Sequence, residues 1–297
     1  MIYHIPALLN ETIDGLNIRP DGIYVDVTFG GGGHSRAILE RLTTGKLIVL
    51  DQDADALANA PNDKRLIAER GNFRFLRNYL AHHGFRKVDG ILADLGVSSH
   101  HFDTAGRGFS FRHDAPLDMR MNTSGRFTAK DVLNQYPENR LRYIFGEYGE
   151  VSDALRLAQK IIIARKSTPV ESSAQLLEII ESYRHGVDNK YKAKVFQALR
   201  IEVNREMDCL KALLLQSLDL LQSGGRLVVI TYHSLEDRLV KNFFKNGMFE
   251  GNASKDIYGN IQTPMRQVNN KVIIPSDEEI AANSRARSAK LRIGERK

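Results

Sequence analysis

Short apolar runs alternate with amphipathic segments over the first hundred residues of the chain. Four of these runs, at 23–29, 47–50, 66–68 and 88–94, have the length and composition of strands that are buried on both faces. Helical patterns separate them, and this alternation predicts an α/β fold with a parallel sheet covered by helices. Because ligands of such sheets bind at the carboxyl ends of the strands, we expect the functional residues there.

The middle of the chain has a different pattern. Strand-like runs disappear at about residue 103, apolar positions recur at helical spacing, and Ser172 with Gln175 resembles a capping box at the start of a helix. The strand pattern resumes only at 227–232. We therefore predict one discontinuous domain of 1–103 and 201–297, with an all-helical domain, 104–200, inserted into it.

The last third completes the predicted sheet. A leucine-rich helix runs through Leu221 to a stop at Gly224 and Gly225, and a helix over 235–244 follows the strand, capped by Ser234 with Asp237. The runs at 271–274 and 289–293 predict closing edge strands. Glycine and asparagine in 246–270 predict a mobile loop before these edge strands.

Composition narrows the class of protein. The hydrophobic fraction of 42% and the charged fraction of 26% are those of a globular protein, and no apolar run has the length of a bilayer span. The single cysteine, Cys209, excludes an internal disulfide framework, and no basic segment leads into an apolar one near Met1, so we expect a cytoplasmic protein. A net charge of +6 favours a polyanionic partner such as nucleic acid, and is also compatible with an ordinary basic enzyme.

Four consecutive glycines, Gly30 to Gly33, follow the first predicted strand. Such a turn lets a ligand approach the backbone closely, although a flexible strand-to-helix turn would have the same composition. The dinucleotide spacing G-x-G-x-x-G fails, since the third glycine position counted from Gly31 is Arg36.

An acid at the end of the second predicted strand points to an adenosine cofactor. Asp51 lies about 20 residues after the glycine turn, where a carboxylate can accept hydrogen bonds from both ribose hydroxyls. A solvated aspartate or a helix cap is the alternative for Asp51. Phe73, after the third strand, can pack on an adenine or belong to the core, and Asp94 ends the fourth strand beside the glycine turn.

Seven sequence blocks, in order, resemble one family. They are 25–35 (VDVTFGGGGHS), 89–99 (DGILADLGVSS), 107–112 (RGFSFR), 116–121 (PLDMRM), 196–204 (FQALRIEVN), 233–238 (HSLEDR) and 285–296 (RARSAKLRIGER). On these blocks the chain resembles the bacterial 16S ribosomal RNA cytosine-N4 methyltransferases, the MraW/RsmH family. The resemblance runs nearly from end to end of the chain.

The resemblance implies a class I, Rossmann-like methyltransferase sheet with an inserted helical domain for RNA recognition. It implies methylation by S-adenosylmethionine of the N4 amine of a cytidine in the decoding region of 16S rRNA, cytidine 1402 in the standard rRNA numbering. The small ribosomal subunit would be the partner, a homodimer stays open, and no metal is needed. The cofactor contacts that it implies are Gly32, Gly33, His34, Asp51, Phe73, Asp94 and His101.

Five positions depart from the family pattern. Gly31 stands where arginine is frequent, His100 and His101 replace proline and glutamine, Tyr232 replaces phenylalanine, and Ser284 replaces the proline before RARS. The imidazole of His101 can still make one hydrogen bond to a cofactor.

The chemistry requires a group that accepts hydrogen bonds from the target amine. A cytosine N4 is a poor nucleophile, because its lone pair is delocalised into the ring. The chain lacks the Asp/Asn-Pro-Pro-aromatic motif of many amino-methyltransferases, so we predict Asp94, or backbone carbonyls just after it, as the acceptor. His233, after the fifth strand, can take the proton late, contact RNA, or simply flank the helix cap.

Charged residues of the insertion and the carboxyl-terminal region predict RNA contacts. Asp118, Arg120 and Arg107 can shape the target pocket, or can form a salt-bridged loop. Cations for the RNA backbone are abundant. They are Arg156, Lys160, Arg165, Lys166, Lys190, Lys192, Lys194, Arg200, Arg285, Arg287, Lys290, Arg292 and Arg296.

Two other functions compete with methyl transfer. A nicotinamide-dependent dehydrogenase would share the glycine turn and the ribose acid, but it would leave the later blocks unexplained. A non-catalytic RNA-binding assembly factor with a relic pocket fits the basic charge equally well.

Overall fold

A computed structural model of the chain describes residues 6–97, 105–250, 263–269 and 271–297. Its strands form one seven-stranded sheet in the order β3-β2-β1-β4-β5-β7-β6. The strands are β1 Ile23–Asp26, β2 Lys46–Asp51, β3 Leu66–Arg70, β4 Val88–Asp94, β5 Leu221–Thr231, β6 Met265–Gln267 and β7 Lys290–Arg296. The first five are parallel, and β7 runs antiparallel to both of its neighbours. The predicted α/β fold is confirmed.

The strand order reverses beside β1, which pairs with β2 on one side and with β4 on the other. The strands are apolar because both faces of the sheet are covered, and residues such as Val25, Ile48 and Leu92 are fully buried. The backbone N–H of Asp94 donates to Thr28 Oγ1 at 2.7 Å, which ties the carboxyl end of β4 to that of β1. This reversal is where open α/β sheets bind their ligands.

The described residues fall into two compact units, 1–96 with 207–297 and 97–206. The first unit contains the sheet and the following helices. These are Leu9–Leu16, Gly33–Arg41, Ala54–Leu57, Leu76–His82, Ser234–Asn246 and Asp277–Ala282, and Glu206–Leu220 begins at the boundary. Within the described part of the chain, no helix is long and apolar enough to cross a bilayer.

The second unit is helical and has its own apolar core, which includes Leu133, Phe145 and Leu157. Its helices are Ala129–Gln135, Glu138–Glu147, Ala154–Ala164, Ser173–Glu181 and Asn189–Asn204. The capping box is present, since Ser172 Oγ accepts from Gln175 N and Gln175 Oε1 accepts from Ser172 N. The unit extends beyond the predicted bounds of 104–200 at both ends.

The positions of two predicted strands were wrong, and one strand lies in a segment predicted to be a loop. β5 begins at Leu221, before the predicted start at residue 227. Gly224 and Gly225 do not end the preceding helix, because they lie in a bulge of β5, where the pairing with β4 shifts register between Leu221 and Arg226. The run at 271–274 makes only an isolated bridge, between Ile273 and Leu291. The edge strand β6 lies instead in the segment predicted to be a mobile loop.

Candidate active site

The glycine turn after β1 combines unusual backbone angles with close packing. Gly30 and Gly32 have φ angles of 50° and 73°, in the left-handed region that favours glycine. A Cβ atom on Gly32 would lie 2.7 Å from the ring of Phe29, and one on Gly33 would lie 2.8 Å from Pro6. Glycine is therefore required by the fold at Gly32 and Gly33, whether or not a ligand approaches.

Asp51, at the end of β2, joins this turn through its carboxylate. Oδ2 accepts from the backbone N–H of Gly30 at 2.8 Å, and Oδ1 accepts from that of Asp53 at 2.9 Å. Burial raises the pKa of the Asp51 carboxyl, although both hydrogen bonds oppose the shift. Each oxygen keeps a lone pair that a ribose hydroxyl can use. The residue that caps the next helix is Asp53, which accepts from Asp55 N at 3.1 Å.

Phe73 follows β3, half-buried against the core beneath the carboxyl edge of the sheet. Its neighbour Asn72 donates from Nδ2 to Gln52 Oε1 at 3.0 Å and to Cys209 Sγ at 3.3 Å. Gln52 and Asn72 were not predicted as site residues. The available signal was their position, since each is a polar residue within two positions of the end of a strand.

Asp94, at the end of β4, has a different partner at each oxygen. Oδ1 accepts from the hydroxyl of Tyr232 at 2.8 Å, and Oδ2 lies 3.7 Å from Nδ1 of His34. Burial raises the pKa of the Asp94 carboxyl to about 6, against the opposing influence of His34 and of the Tyr232 hydroxyl. Both contacts come from residues that follow neighbouring strands, β1 and β5.

His34 lies buried in the first turn of the helix Gly33–Arg41. Its Nε2 is 3.1 Å from the backbone carbonyl of Ala7. Because a carbonyl only accepts, we assign a ring hydrogen to Nε2, so Nδ1 is the ring nitrogen that faces Asp94. Nδ1 lies 3.7 Å from Oδ2 of Asp94, beyond hydrogen-bond distance, so Oδ2 can accept a hydrogen from a ligand.

Asp26 is a site residue that the sequence reasoning missed. Its buried carboxylate accepts from Ser35 Oγ at 2.6 Å and from the N–H of Thr28 at 3.0 Å. Burial raises its pKa, and the hydrogen bond from Ser35 and the nearby His34 oppose that shift. An acid inside an otherwise apolar strand was the signal that could have identified it.

His233 occupies the N-cap position of the helix Ser234–Asn246, so the predicted Ser234 cap was wrong; Ser234 is exposed in the first turn. The imidazole of His233 is 8% exposed, and its Nε2 lies 3.1 Å from Glu236 Oε1 without hydrogen-bond geometry. Glu236 Oε2 accepts from the backbone N–H of Tyr232 at 2.9 Å. Asp237, the other predicted capping residue, instead pairs with Arg292 at 2.7 Å.

Arg107, Asp118 and Arg120 lie in the second unit and form a linked loop. Arg120 donates from Nε to Asp118 Oδ1 at 2.7 Å, and Arg107 Nη2 donates to the carbonyls of Arg120 and Met121 at 2.7 Å and 3.1 Å. Burial raises the pKa of Asp118, but the bonds from Arg120 outweigh it, so the pKa is lowered. These bonds form the salt-bridged loop that was one of the two predictions for these residues. A contact of the same residues with substrate stays a prediction. His101 lies outside the described residues.

Several of the predicted RNA-binding cations have protein partners. Arg165 donates to the carbonyls of Leu133 and Tyr136, and its pKa is lowered by burial. Lys192, Lys194, Arg200, Arg292 and Arg296 also bond to carboxylates or carbonyls of the chain. Arg156, Lys166 and Lys190 are exposed on the second unit.

Comparisons with known proteins identify the family. A family model described as the MraW methylase family matches residues 1–297. The chain is 57% identical over 297 residues to a ribosomal RNA small subunit methyltransferase H of Bacteroides fragilis, covering 99% of this chain and 98% of that one. The protein of the same name from Cytophaga hutchinsonii is 55% identical over 301 residues, with coverages of 99% and 100%.

Solved structures are more distant. A putative methyltransferase from Streptococcus mutans, in complex with SAH, is 13% identical, covers 100% of each chain and has a TM-score of 0.43. The family match confirms the resemblance and the S-adenosylmethionine cofactor, and the alternative of a nicotinamide-dependent dehydrogenase is wrong. The chain belongs to the MraW methylase family and is an S-adenosylmethionine-dependent methyltransferase with a class I, Rossmann-like sheet.

Proposed function

We propose that this chain transfers a methyl group from S-adenosylmethionine to the exocyclic N4 amine of a cytidine in the decoding region of 16S rRNA. The names of relatives that are 55–57% identical over nearly their whole length support small-subunit rRNA as the substrate class. The sequence blocks that resemble the cytosine-N4 enzymes support the base and the atom. One geometric feature supports a hydrogen-bond donor as the target group independently.

That feature is the Asp94 carboxylate at the point where the strand order reverses. Its Oδ1 accepts from the Tyr232 hydroxyl, whereas its Oδ2 lies 3.7 Å from His34 Nδ1, beyond hydrogen-bond distance. An ionised carboxylate oxygen only accepts hydrogen bonds, so Oδ2 suits a ligand group that carries a hydrogen. The exocyclic amine of cytosine carries two.

The residues around the glycine turn fit the cofactor. Asp51 can bind both ribose hydroxyls through the lone pairs that remain after its two backbone bonds. Phe73 offers an apolar face for the adenine. When bound there, S-adenosylmethionine supplies a methyl group on a positively charged sulfur, which leaves as a neutral thioether.

The chain's own groups then deal with the amine. Asp94 Oδ2 accepts an N4 hydrogen, which returns electron density to the nitrogen and raises its nucleophilicity. The new C–N bond forms as the S–CH₃ bond breaks, and the nitrogen becomes positively charged. One N4 proton leaves to Asp94 and then to solvent, so the product is neutral N4-methylcytidine. A backbone carbonyl after Asp94 stays the alternative acceptor.

His233 and the second unit have supporting roles in this proposal. The imidazole of His233, one residue after Tyr232, can contact the RNA or receive the proton after transfer. Exposed cations of the second unit, such as Arg156, Lys166 and Lys190, supply phosphate contacts around an extruded base. In this proposal Arg107, Asp118 and Arg120 contact the substrate RNA.

Tritium transfer from the cofactor tests the substrate. Purified protein is incubated with free small-subunit RNA, with assembly intermediates and with assembled subunits, and the modified nucleoside is identified by mass spectrometry. We expect N4-methylcytidine at one decoding-region position. Transfer to none of the three substrates would favour the non-catalytic assembly factor and refute the enzyme proposal.

Asp94→Asn tests the acceptor. With cofactor held at saturation, as established by calorimetry, the variant should lose about 10²-fold or more in single-turnover rate. Asp63→Asn is the matched control, because Asp63 pairs with Arg65 before β3 and contacts no site residue. Unchanged turnover in Asp94→Asn would refute Asp94 as the acceptor and favour the backbone carbonyls.

A further inference from the structure

Tyr232 is held in one orientation by its surroundings. Its backbone N–H donates to the buried carboxylate of Glu236, and its ring lies against Gly96. Gly96 has a φ of 100°, and a Cβ atom there would lie only 3.3 Å from Tyr232 Cδ2. The ring therefore lies against bare backbone just after β4, which directs its hydroxyl at Asp94.

The hydroxyl of Tyr232 distinguishes the two oxygens of Asp94. It donates to Oδ1 at 2.8 Å, while Oδ2 faces His34 across 3.7 Å, beyond hydrogen-bond distance. The N–H of Asp94 itself is bonded to Thr28. Oδ1 is thus occupied by the protein, and Oδ2 is the oxygen with capacity for a ligand hydrogen.

We propose that Tyr232 is a positioning residue for methyl transfer, whose hydroxyl fixes the Asp94 carboxylate so that Oδ2 accepts the hydrogen of the target amine. The inference rests on the proposed function, in which Asp94 is that acceptor. A carboxylate without this bond could rotate about χ2 and turn either oxygen toward His34, so the productive arrangement would be populated only part of the time.

The same bond affects when Asp94 is ionised. Among the described residues, the titratable groups that act on the carboxylate are His34 from the helix after β1, Tyr232 after β5, Asp26 at the end of β1, and Glu236 in the helix Ser234–Asn246. Asp26 and Glu236 disfavour its ionised form, whereas His34 and the Tyr232 hydroxyl favour it. Removing the hydroxyl should therefore move the ionisation of Asp94 to higher pH.

Tyr232→Phe tests the inference through the pH dependence of the single-turnover rate. We expect the acid limb of the profile to move up by about one pH unit, which makes transfer at pH near 6 about five- to tenfold slower. The rate above pH 8 should fall about threefold or less, and the affinity for S-adenosylhomocysteine should stay within about twofold.

Tyr24→Phe is the matched control for a merely structural hydroxyl. Tyr24 is buried in β1 of the same sheet, and its hydroxyl accepts from Arg19 N at 2.8 Å, in the segment before that strand. The control should lose stability and keep the wild-type acid limb. Protein made with 3-fluorotyrosine, a stronger donor, gives a second test without a substitution: its acid limb should move to lower pH, and Tyr232→Phe should abolish that movement.

An unchanged acid limb in Tyr232→Phe, or an equal shift in Tyr24→Phe, would overturn the inference. If Tyr232→Phe does not fold, the fluorotyrosine protein decides, and an unmoved limb there has the same meaning. Failure of the proposed function has a different result, since wild-type protein would then form no N4-methylcytidine at all. Activity that requires Asp94 but ignores Tyr232 would leave the proposed function standing and this inference refuted.

Discussion

Replacing Asp94 by asparagine should stabilise the protein at neutral pH while it abolishes activity. The pKa of this carboxyl is raised from 3.8 to about 6 in the folded chain, chiefly by burial. A raised pKa means that the folded state favours the protonated carboxyl. The stability that the Asp94 carboxyl contributes is therefore fully present below pH 4 and is lost as the pH rises through 6. Wild-type protein at pH 8 therefore carries the cost of a buried ionised carboxylate.

The magnitude follows from the size of the shift. A difference of about two pH units, at about 1.4 kcal/mol each, corresponds to about 3 kcal/mol. The Asp94 side chain is 23% exposed, so solvent reduces this cost only in part. An asparagine would also suit the site, because its oxygen can accept from Tyr232 and its amide carries no charge to bury.

Urea unfolding of both proteins at several pH values measures the effect. We expect Asp94→Asn to be more stable by about 2–3 kcal/mol at pH 8, with the difference shrinking between pH 6 and pH 4. Asp63→Asn should behave in the opposite way, because Arg65 lowers the pKa of Asp63 to about 2 and ionisation there favours folding. A difference for Asp94→Asn that is independent of pH, or destabilisation at pH 8, would refute the reasoning.

Other perturbations test the cofactor turn and the sheet. Asp51→Asn keeps only one acceptor oxygen for the two backbone N–H groups, so cofactor affinity should fall about tenfold to hundredfold by calorimetry. Gly32→Ala should cost about 1–2 kcal/mol in urea unfolding from its φ of 73° alone; an unchanged midpoint would contradict the left-handed turn. Arg292→Leu should destabilise by about 2–3 kcal/mol, because it removes the main partner of Asp237, and adding Asp237→Asn should recover part of that loss.

Patterns that depend on local chemistry were predicted well. The strand 88–94 has the predicted bounds, and the capping box of Ser172 with Gln175 forms as expected. The capping box depends on interactions within a few residues, and the buried strand appears as an uninterrupted apolar run, so the sequence displays both directly. The predicted end of β1 was three residues too late. The Asp26 side chain accepts a hydrogen bond from the backbone N–H of Thr28, although the apolar pattern of the sequence continues there.

Features that depend on pairing between distant strands were missed. The bulge that contains Gly224 becomes visible only when β5 is aligned with β4, and in the sequence it looks like the end of a helix. Tyr232 was noticed only as a departure from a family pattern. Its bond to Asp94 depends on β4 and β5 being neighbours and on the bare backbone at Gly96, and neither fact is written in the residues around position 232.

The insertion of the second unit within the sequence of the first has a consequence for folding kinetics. The second unit is a continuous stretch, and the described residues of its core all belong to it, so it can collapse without waiting for any later part of the chain. The central pair β4 and β5 must instead close across that stretch, and the bond from Tyr232 to Asp94 joins residues 138 positions apart. In refolding, helical content should therefore recover first, and the ability to bind cofactor should recover in a slower phase.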